Sequence, residues 1–277
     1  MLPENRNLYI ESVSETHSTG MQQSHFHDYY EIYYLLEGKR RYFINHTLYD
    51  VEPFDVLLIN KGDIHLSQCS GSGEKYARYL LTFSDSFIDG LGKEFDKDFL
   101  MKSFETKKIH IPDAMQHSFN MLLHKAETKI KQNDEYSQYM SKLNFLEVLV
   151  NLNKFATKNT YPLLDDLTVY EDRIQEVCRY ICNYYNKPIS LDQMAKIAFM
   201  SPTYFSKKFK RVTGFGFNEY LNNVRIKMAT NLLMETQMPI TEIATFCGYQ
   251  DSNYFGDVFK KIMGVSPNKY RKDHYAI

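Results

Sequence analysis

The sequence has no apolar run of 18 residues, so no segment reads as a bilayer-spanning helix and no membrane partner is expected. The opening stretch MLPENRNLYIESVSETHS lacks the basic start and apolar centre of a secretory signal, which makes the cytoplasm the expected location. Cysteine is scarce. Cys69, Cys178, Cys182 and Cys247 show no metal-finger spacing, so they read as reduced thiols in cores, with Cys178 and Cys182 one helical turn apart. An excess of one charge is missing as well, the formal net charge being −1.

That near-neutral balance hides an asymmetry. Residues 171–277 carry 15 Lys and Arg against 10 Asp and Glu, whereas residues 1–170 carry 18 against 24. A basic C-terminal part favours a polyanionic partner. With 277 residues, 43% of them hydrophobic, the chain is long enough for two domains with real cores.

One pattern occurs twice in the basic part. Phe205-Ser-Lys-Lys-Phe209-Lys210-Arg211-Val-Thr-Gly214 is matched by Phe255-Gly-Asp-Val-Phe259-Lys260-Lys261-Ile-Met-Gly264, fifty residues on, with Tyr204/Tyr254 and Tyr220/Tyr270 in step. Each copy closes a helical pair: Leu191–Phe199 with Ser201–Thr213, and Ile240–Cys247 with Ser252–Met263. Ser201-Pro202 is a start signal, and Gly214 and Gly264 are stop signals. In the first copy Phe205, Phe209 and Val212 make an apolar stripe, while Thr203, Ser206, Lys207 and Lys210 lie on the other side. A helix that enters the DNA major groove needs this layout of short polar or basic side chains near its start and lysines within reach of phosphates. The joining helix, Asn218–Glu235, is about 18 residues or roughly 27 Å, close to one turn of B-DNA. A final short helix opens at Pro267.

Arg225-Ile-Lys-Met-Ala229-Thr-Asn-Leu-Leu233, Ile243-Ala244, Gly248-Tyr249, Tyr254-Phe255, Phe259-Lys260-Lys261, Gly264-Val-Ser266-Pro267 and Tyr270-Arg271 together resemble the AraC/XylS family of bacterial transcription regulators over about 100 residues. The resemblance implies a seven-helix domain with two helix–turn–helix units, which binds double-stranded DNA beside promoters, usually activates transcription and works with RNA polymerase. It implies base-facing Thr203, Ser206 and Lys207 in the first unit and Ser252, Asn253, Gly256 and Asp257 in the second. Lys210, Lys260 and Lys261, by their place on the helices, are expected on phosphates. Asp257 suits a cytosine amino group. The second turn, Tyr249-Gln-Asp-Ser-Asn, is one residue longer than the first, and the second unit is expected to hold backbone while the first reads sequence.

Upstream, Tyr29–Leu36, Arg41–Asn45, Val56–Ile59, Ile64–Cys69 and Tyr76–Phe83 read as strands between Gly, Pro, Asn and Asp turns, the pattern of a sandwich or barrel. Two helices follow, Asp113–Lys131 and Glu135–Thr157. The stripe Tyr139, Leu143, Leu146, Val150 and Phe155 packs on the barrel and is wide enough to serve a second copy of the chain, so a homodimer is expected. His25, His27, Tyr29, Glu31 and Tyr33 alternate, which places them on one face of one strand. With Gly38, Gly62 and His65 they resemble the cupin barrel. Metal-binding cupins hold a divalent ion on three His and one Glu, here His25, His27, Glu31 and His65. Phe54, Asn60 and Cys69 stand where the second cupin motif has Gly, Pro and Asn. The expected occupant is therefore a small organic effector, such as a sugar or related metabolite, held by His25, His27, Tyr29, Glu31, Tyr33, Arg41 and His65. A metal is the alternative, and no cofactor is required.

The expectation is an α+β chain: residues 1–157 a cupin-like barrel with a helical pair, 158–170 a linker, and 171–277 an all-α domain with two helix–turn–helix units. It is an effector-responsive regulator rather than an enzyme. The competing reading is a metal-dependent cupin enzyme with an accessory helical domain, which would have no need of a duplicated basic helix–turn–helix.

Overall fold

The computed structural model describes residues 7–15, 25–69, 75–92, 94–132, 134–157 and 169–274. They fall into two compact units. The expected linker lies mainly outside the described residues.

Among the described residues the first unit holds eight strands: β1 (Leu8–Glu15), β2 (Tyr30–Glu37), β3 (Arg40–Ile44), β4 (Thr47–Val51), β5 (Asp55–Ile59), β6 (His65–Cys69), β7 (Tyr76–Phe83) and β8 (Lys108–His110). They make a five-stranded sheet, ordered β1-β7-β2-β5-β8, and a three-stranded sheet, ordered β4-β3-β6. Among the described residues the expected closed barrel is two facing sheets, and one isolated bridge pairs His25, ahead of β2, with His65.

Alternation explains both faces of the large sheet. Tyr30, Ile32, Tyr34, Val56, Leu58, Tyr79, Leu81 and Phe83 point outward into a core shared with helices. Those helices are α1 (Asp85–Asp89), α2 (Lys97–Met101), α3 (Asp113–Gln132) and α4 (Glu135–Ala156), with a 3-10 turn at Lys102–Glu105. Phe119, Leu122, Leu123, Phe145, Leu149 and Leu152 supply the helical side, each worth about 1.5–3 kcal/mol when fully buried. Tyr33, Leu35, Leu57, Ile59 and Tyr76 point the other way, onto Tyr42, Ile44 and Val51 of the small sheet. A strand buried on both faces reads as an unbroken apolar run, which is why β5, DVLLI, is buried throughout.

The predicted stripe on α4 divides. Phe155 is buried and Leu146 is half-buried, but Tyr139, Leu143 and Val150 are exposed, as are Tyr136 and Met140. The sheet is covered instead by Phe145, Val148, Leu149 and Leu152.

The second unit is α5 (Val169–Tyr184), α6 (Leu191–Ile197), α7 (Pro202–Thr213), α8 (Phe217–Glu235), α9 (Ile240–Phe246), α10 (Ser252–Met263) and α11 (Pro267–His274). Ser190 caps α6 in a reciprocal box with Gln193. Gly216 starts α8, where the carboxylate of Glu219 accepts from the Gly216 N–H. Its 19 residues run about 28 Å at the helical rise, and its buried face reaches from Phe217 and Tyr220 to Ala229 and Leu233.

Candidate functional site

The second helices of the two helical pairs, α7 and α10, are built alike. From 201 to 211 and from 251 to 261, exposed, half-buried and buried positions follow in the same order. Phe205 and Phe209, and their counterparts Phe255 and Phe259, are fully buried. Ser201 accepts from the Tyr204 N–H at 3.4 Å, whereas the carboxylate of Asp251 accepts from the N–H groups of Asn253 and Tyr254 at 2.7 and 3.3 Å. Both helices end on a left-handed glycine, Gly214 at φ 80° and Gly264 at φ 76°, whose N–H donates to the carbonyl of Lys210 or Lys260.

The turns that aim the helices also match. The N–H of Met200 donates to Ala195 and that of Tyr249 to Ala244, at 2.9 and 3.0 Å. Each turn contains one left-handed residue, Phe199 at φ 54° and Gly248 at φ 85°. Gly248 is required twice over, because a Cβ there would sit 2.9 Å from the Asn186 backbone. Phe199 is 80% exposed and adopts the same conformation at a cost of order 1 kcal/mol. Gln250 is the extra residue of the second turn.

This frame leaves Thr203, Lys207 and Lys210 exposed and Ser206 half-buried on α7. On α10 it leaves Ser252, Asn253, Asp257, Lys260 and Lys261 exposed and Gly256 half-buried. All lie off the buried Phe stripes. Tyr204 and Tyr254, 46% and 55% exposed, belong with them; their fifty-residue match was the available signal. Gly256 stands at the position of Ser206. A Cβ added to it meets nothing within 4 Å, so packing inside the chain does not require the glycine.

The second group lies between the sheets. β2 begins at Tyr30, so His25, His27 and Tyr29 precede the strand instead of extending it. The chain still brings them to Glu31. The N–H of Gly62, at φ 75°, donates to the His27 carbonyl, and His25 and His65 exchange backbone bonds at 3.0 and 3.1 Å. The ring of Tyr29 stacks on that of His27 at 3.7 Å, and His27 Nε2 lies 3.4 Å from Glu31 Oε2. His25, His27 and His65 are the one group of three metal-capable donors among the described residues, their ligand atoms all within 4.8 Å of one another.

Burial raises the Glu31 carboxyl, but the hydrogen bond from His27, with the neighbouring imidazoles adding, outweighs it and leaves the pKa below the ordinary carboxylate range. Burial, with His27 and His25 adding, lowers His65 to about 4 against the pull of Glu31, so its imidazole is neutral at physiological pH. Burial, with Glu31 and Asp28 adding, raises Tyr29 to about 12, which keeps its hydroxyl a donor. His65 Nε2 and Glu31 Oε1 are buried without a hydrogen-bond partner, at about 1–3 kcal/mol each.

Two expected members are engaged otherwise. Tyr33 shares the Glu31 face but is tied into the core, its hydroxyl 3.1 Å from that of Tyr76. Arg41 is turned away: it pairs with Gln68, one position out of phase with His65, and grips Asp50 at 2.6 and 3.0 Å. Its neighbour Arg40 takes the inward place, buried, its guanidinium 3.9 Å from the Tyr76 ring centroid. Thr82, directly across from Glu31, and Arg78, two residues along the same face, also line the interior, and Thr82 Oγ1 and Arg78 Nη1 are buried without a partner. The alternation of Arg78, Leu80 and Thr82 against Tyr79, Leu81 and Phe83 was the signal for these two.

Residues 10–138 match a family model described as an AraC-like ligand binding domain, and residues 194–273 match one described as a helix-turn-helix domain. A relative described as an uncharacterized HTH-type transcriptional regulator of Staphylococcus aureus strain MSSA476 is 25% identical over 246 residues. The alignment takes in 88% of this chain and 31% of the relative, so the chain spans about a third of that protein's length. The HTH-type transcriptional regulator YijO of Escherichia coli K12 is 36% identical over 97 residues, 35% of this chain and 34% of the relative. Among solved structures, the C-terminal domain of AraT, a response regulator from Geobacillus stearothermophilus, is 35% identical with a TM-score of 0.37, covering 38% of this chain and 88% of that one.

Proposed function

The chain belongs to the AraC family of helix–turn–helix transcriptional regulators, and from that premise we propose that it binds double-stranded DNA through α7 and α10 and activates transcription in response to a small molecule held between the sheets of its first unit. The matched construction of α7 and α10 carries the reading. One frame of buried phenylalanines, capped starts and glycine stops is used twice and leaves short polar or basic side chains outward both times. Thr203, Ser206 and Lys207 read bases in the first unit, and Ser252, Asn253, Gly256 and Asp257 do so in the second. Lys210, Lys260 and Lys261 hold phosphates. RNA polymerase is the partner at the promoter.

The same reading gives the exposed stripe of α4 (Tyr136, Tyr139, Met140, Leu143 and Val150) to a second copy of the chain, since these positions repeat at helical spacing and are not used by the sheet. Effector binding shifts the population of DNA-competent chains. An enzymatic reading has nothing in its favour in the family to which the chain belongs. The test is DNA affinity at a series of salt concentrations. The account expects log affinity to fall linearly with log salt, with a slope that counts the neutralised phosphates; a flat line would reject DNA binding by these helices.

A further inference from the structure

We propose that the space between the sheets takes a small organic acid, and that Arg78 on β7 holds its carboxylate through the guanidinium fork. The inference rests on reading that space as the effector site and names the chemical class of the effector.

Three observations converge on Arg78. The first is a charge left unserved. Arg78 stands on the inward face of β7, across from Leu35 of β2 and Val13 of β1, with its side chain 19% exposed. Its Nη1 is buried without a partner, and its Nη2 lies 3.7 Å from Glu11 Oε1, beyond hydrogen-bond reach. Glu11 is engaged elsewhere, its Oε2 accepting from the Tyr9 hydroxyl at 2.9 Å. Arg41 in the same unit shows the contrast, since its fork grips both oxygens of Asp50 at 2.6 and 3.0 Å. The second observation is that the surroundings do not neutralise Arg78. Glu11 is the one acid whose charge reaches it; Tyr33, Tyr42 and Tyr76 are the other groups. Burial raises the Tyr33 and Tyr42 hydroxyls well above the ordinary phenol, so both stay neutral donors. The third is access. On the inward faces of β2 and β5, Tyr33, Leu35, Leu57 and Ile59 are buried, whereas Leu80 of β7 and Val13 of β1 are half-buried. The space between the sheets opens at its β1–β7 side, where Arg78 stands.

A planar carboxylate with one negative charge matches one guanidinium, whereas a phosphate dianion calls for more than one cation. From Arg78 the inward face of β7 continues through Leu80 to Thr82, about 13 Å away at the strand rise. Leu80 and Val13 offer an apolar wall to the body of the ligand. Thr82 Oγ1, buried and unpartnered, offers a hydroxyl at the far end. A short organic acid with a polar group opposite its carboxylate spans that row. A neutral sugar would leave the charge of Arg78 unmet.

The experiment uses the full, tag-free chain in chloride buffer. Acetate serves as the carboxylate alone, and each larger acid is paired with a neutral analogue: glucuronate with glucose, hexanoate with hexanamide, benzoate with benzamide. Two quantities are read, the melting temperature and the ¹⁵N–¹H resonance of Arg78 Nε, assigned by its absence from Arg78→Lys. At least one acid should raise the melting temperature and move that resonance, while its neutral partner does neither. Arg78→Met should weaken binding of that acid by roughly 10-fold or more, as expected for loss of a charge-assisted pair. Should Arg78→Met fail to fold, Arg78→Lys, which keeps the charge and loses the fork, should bind the acid more weakly than the wild type. If no acid, acetate included, moves the Arg78 resonance, the proposal is overturned. An acid bound equally well by the wild type and by the folded Arg78 variants overturns it too. DNA affinity measured on the same samples keeps the two readings apart. An acid that binds through Arg78 and leaves DNA affinity unchanged rejects the effector reading and leaves the carboxylate site standing. A neutral compound that changes DNA affinity, while no acid binds, rejects the carboxylate site and leaves the effector reading standing.

Discussion

The two helix–turn–helix units have one architecture and two chemistries. α7 carries Lys207, Lys208, Lys210 and Arg211 and no acid; α10 carries Lys260 and Lys261 together with Asp257, and Asp251 closes its N-terminus. Where α7 has Ser206, α10 has Gly256. The buried positions agree because each helix must seat two phenylalanines in the same kind of socket, and that demand fixes only one face. The other face is free to diverge, and it does. The N-caps sharpen the contrast. A neutral serine leaves the positive end of α7 open to a phosphate, while Asp251 already neutralises that end of α10.

The largest test of this comparison concerns the shared frame. Phe209→Ala and Phe259→Ala should each cost about 3–5 kcal/mol in the stability of the helical unit, read from urea midpoints. A much smaller loss at one of them would mean that its unit is not seated as described. Next comes the divergent face. Lys207→Ala should weaken binding to the cognate site by about 1–3 kcal/mol and mostly spare nonspecific DNA, the behaviour of a base contact; equal losses on all sequences would make it a phosphate contact. The smallest effect has the most diagnostic sign. Gly256→Ala should stabilise the folded chain by about 0.5–1 kcal/mol, since a mid-helix glycine is unfavourable and the new methyl has open space. We expect the same change to weaken DNA binding, because the glycine then serves close approach of the α10 backbone to the groove. Higher stability with unchanged DNA affinity would return the second unit to a backbone-holding role.

The helical half was easy to read from sequence because its punctuation is strong. Ser190, Ser201-Pro202, Gly214 and Gly264 mark ends that the structure keeps, and α10 runs from Ser252 to Met263 as predicted. The sheet half was legible in its longer apolar strands, with β7 found at its full length. β1, β4 and β8 were not, being either polar on alternate residues or three to five residues long. The same holds for the five-residue helices α1 and α2. Residue type singles out the His25, His27, Glu31 and His65 group that the structure brings together, whereas strand parity misplaces its neighbours. Alternation in the sequence runs from His25 to Tyr33 as if along one strand, yet β2 begins at Tyr30 and the histidines arrive through a backbone fold held by Gly62. Arg41 is the arginine the sequence points to, but Arg40 faces inward, since a shift of one residue in a strand exchanges the two faces.

The central claim, that two matched helices read two segments of one DNA face, is tested most directly by a footprint of the full chain on a duplex selected from random sequence. The account predicts two protected patches about one helical turn apart, roughly 10 base pairs, with Lys207→Ala weakening one patch and sparing the other. A single patch, or loss of both with Lys207→Ala on every sequence, would contradict it.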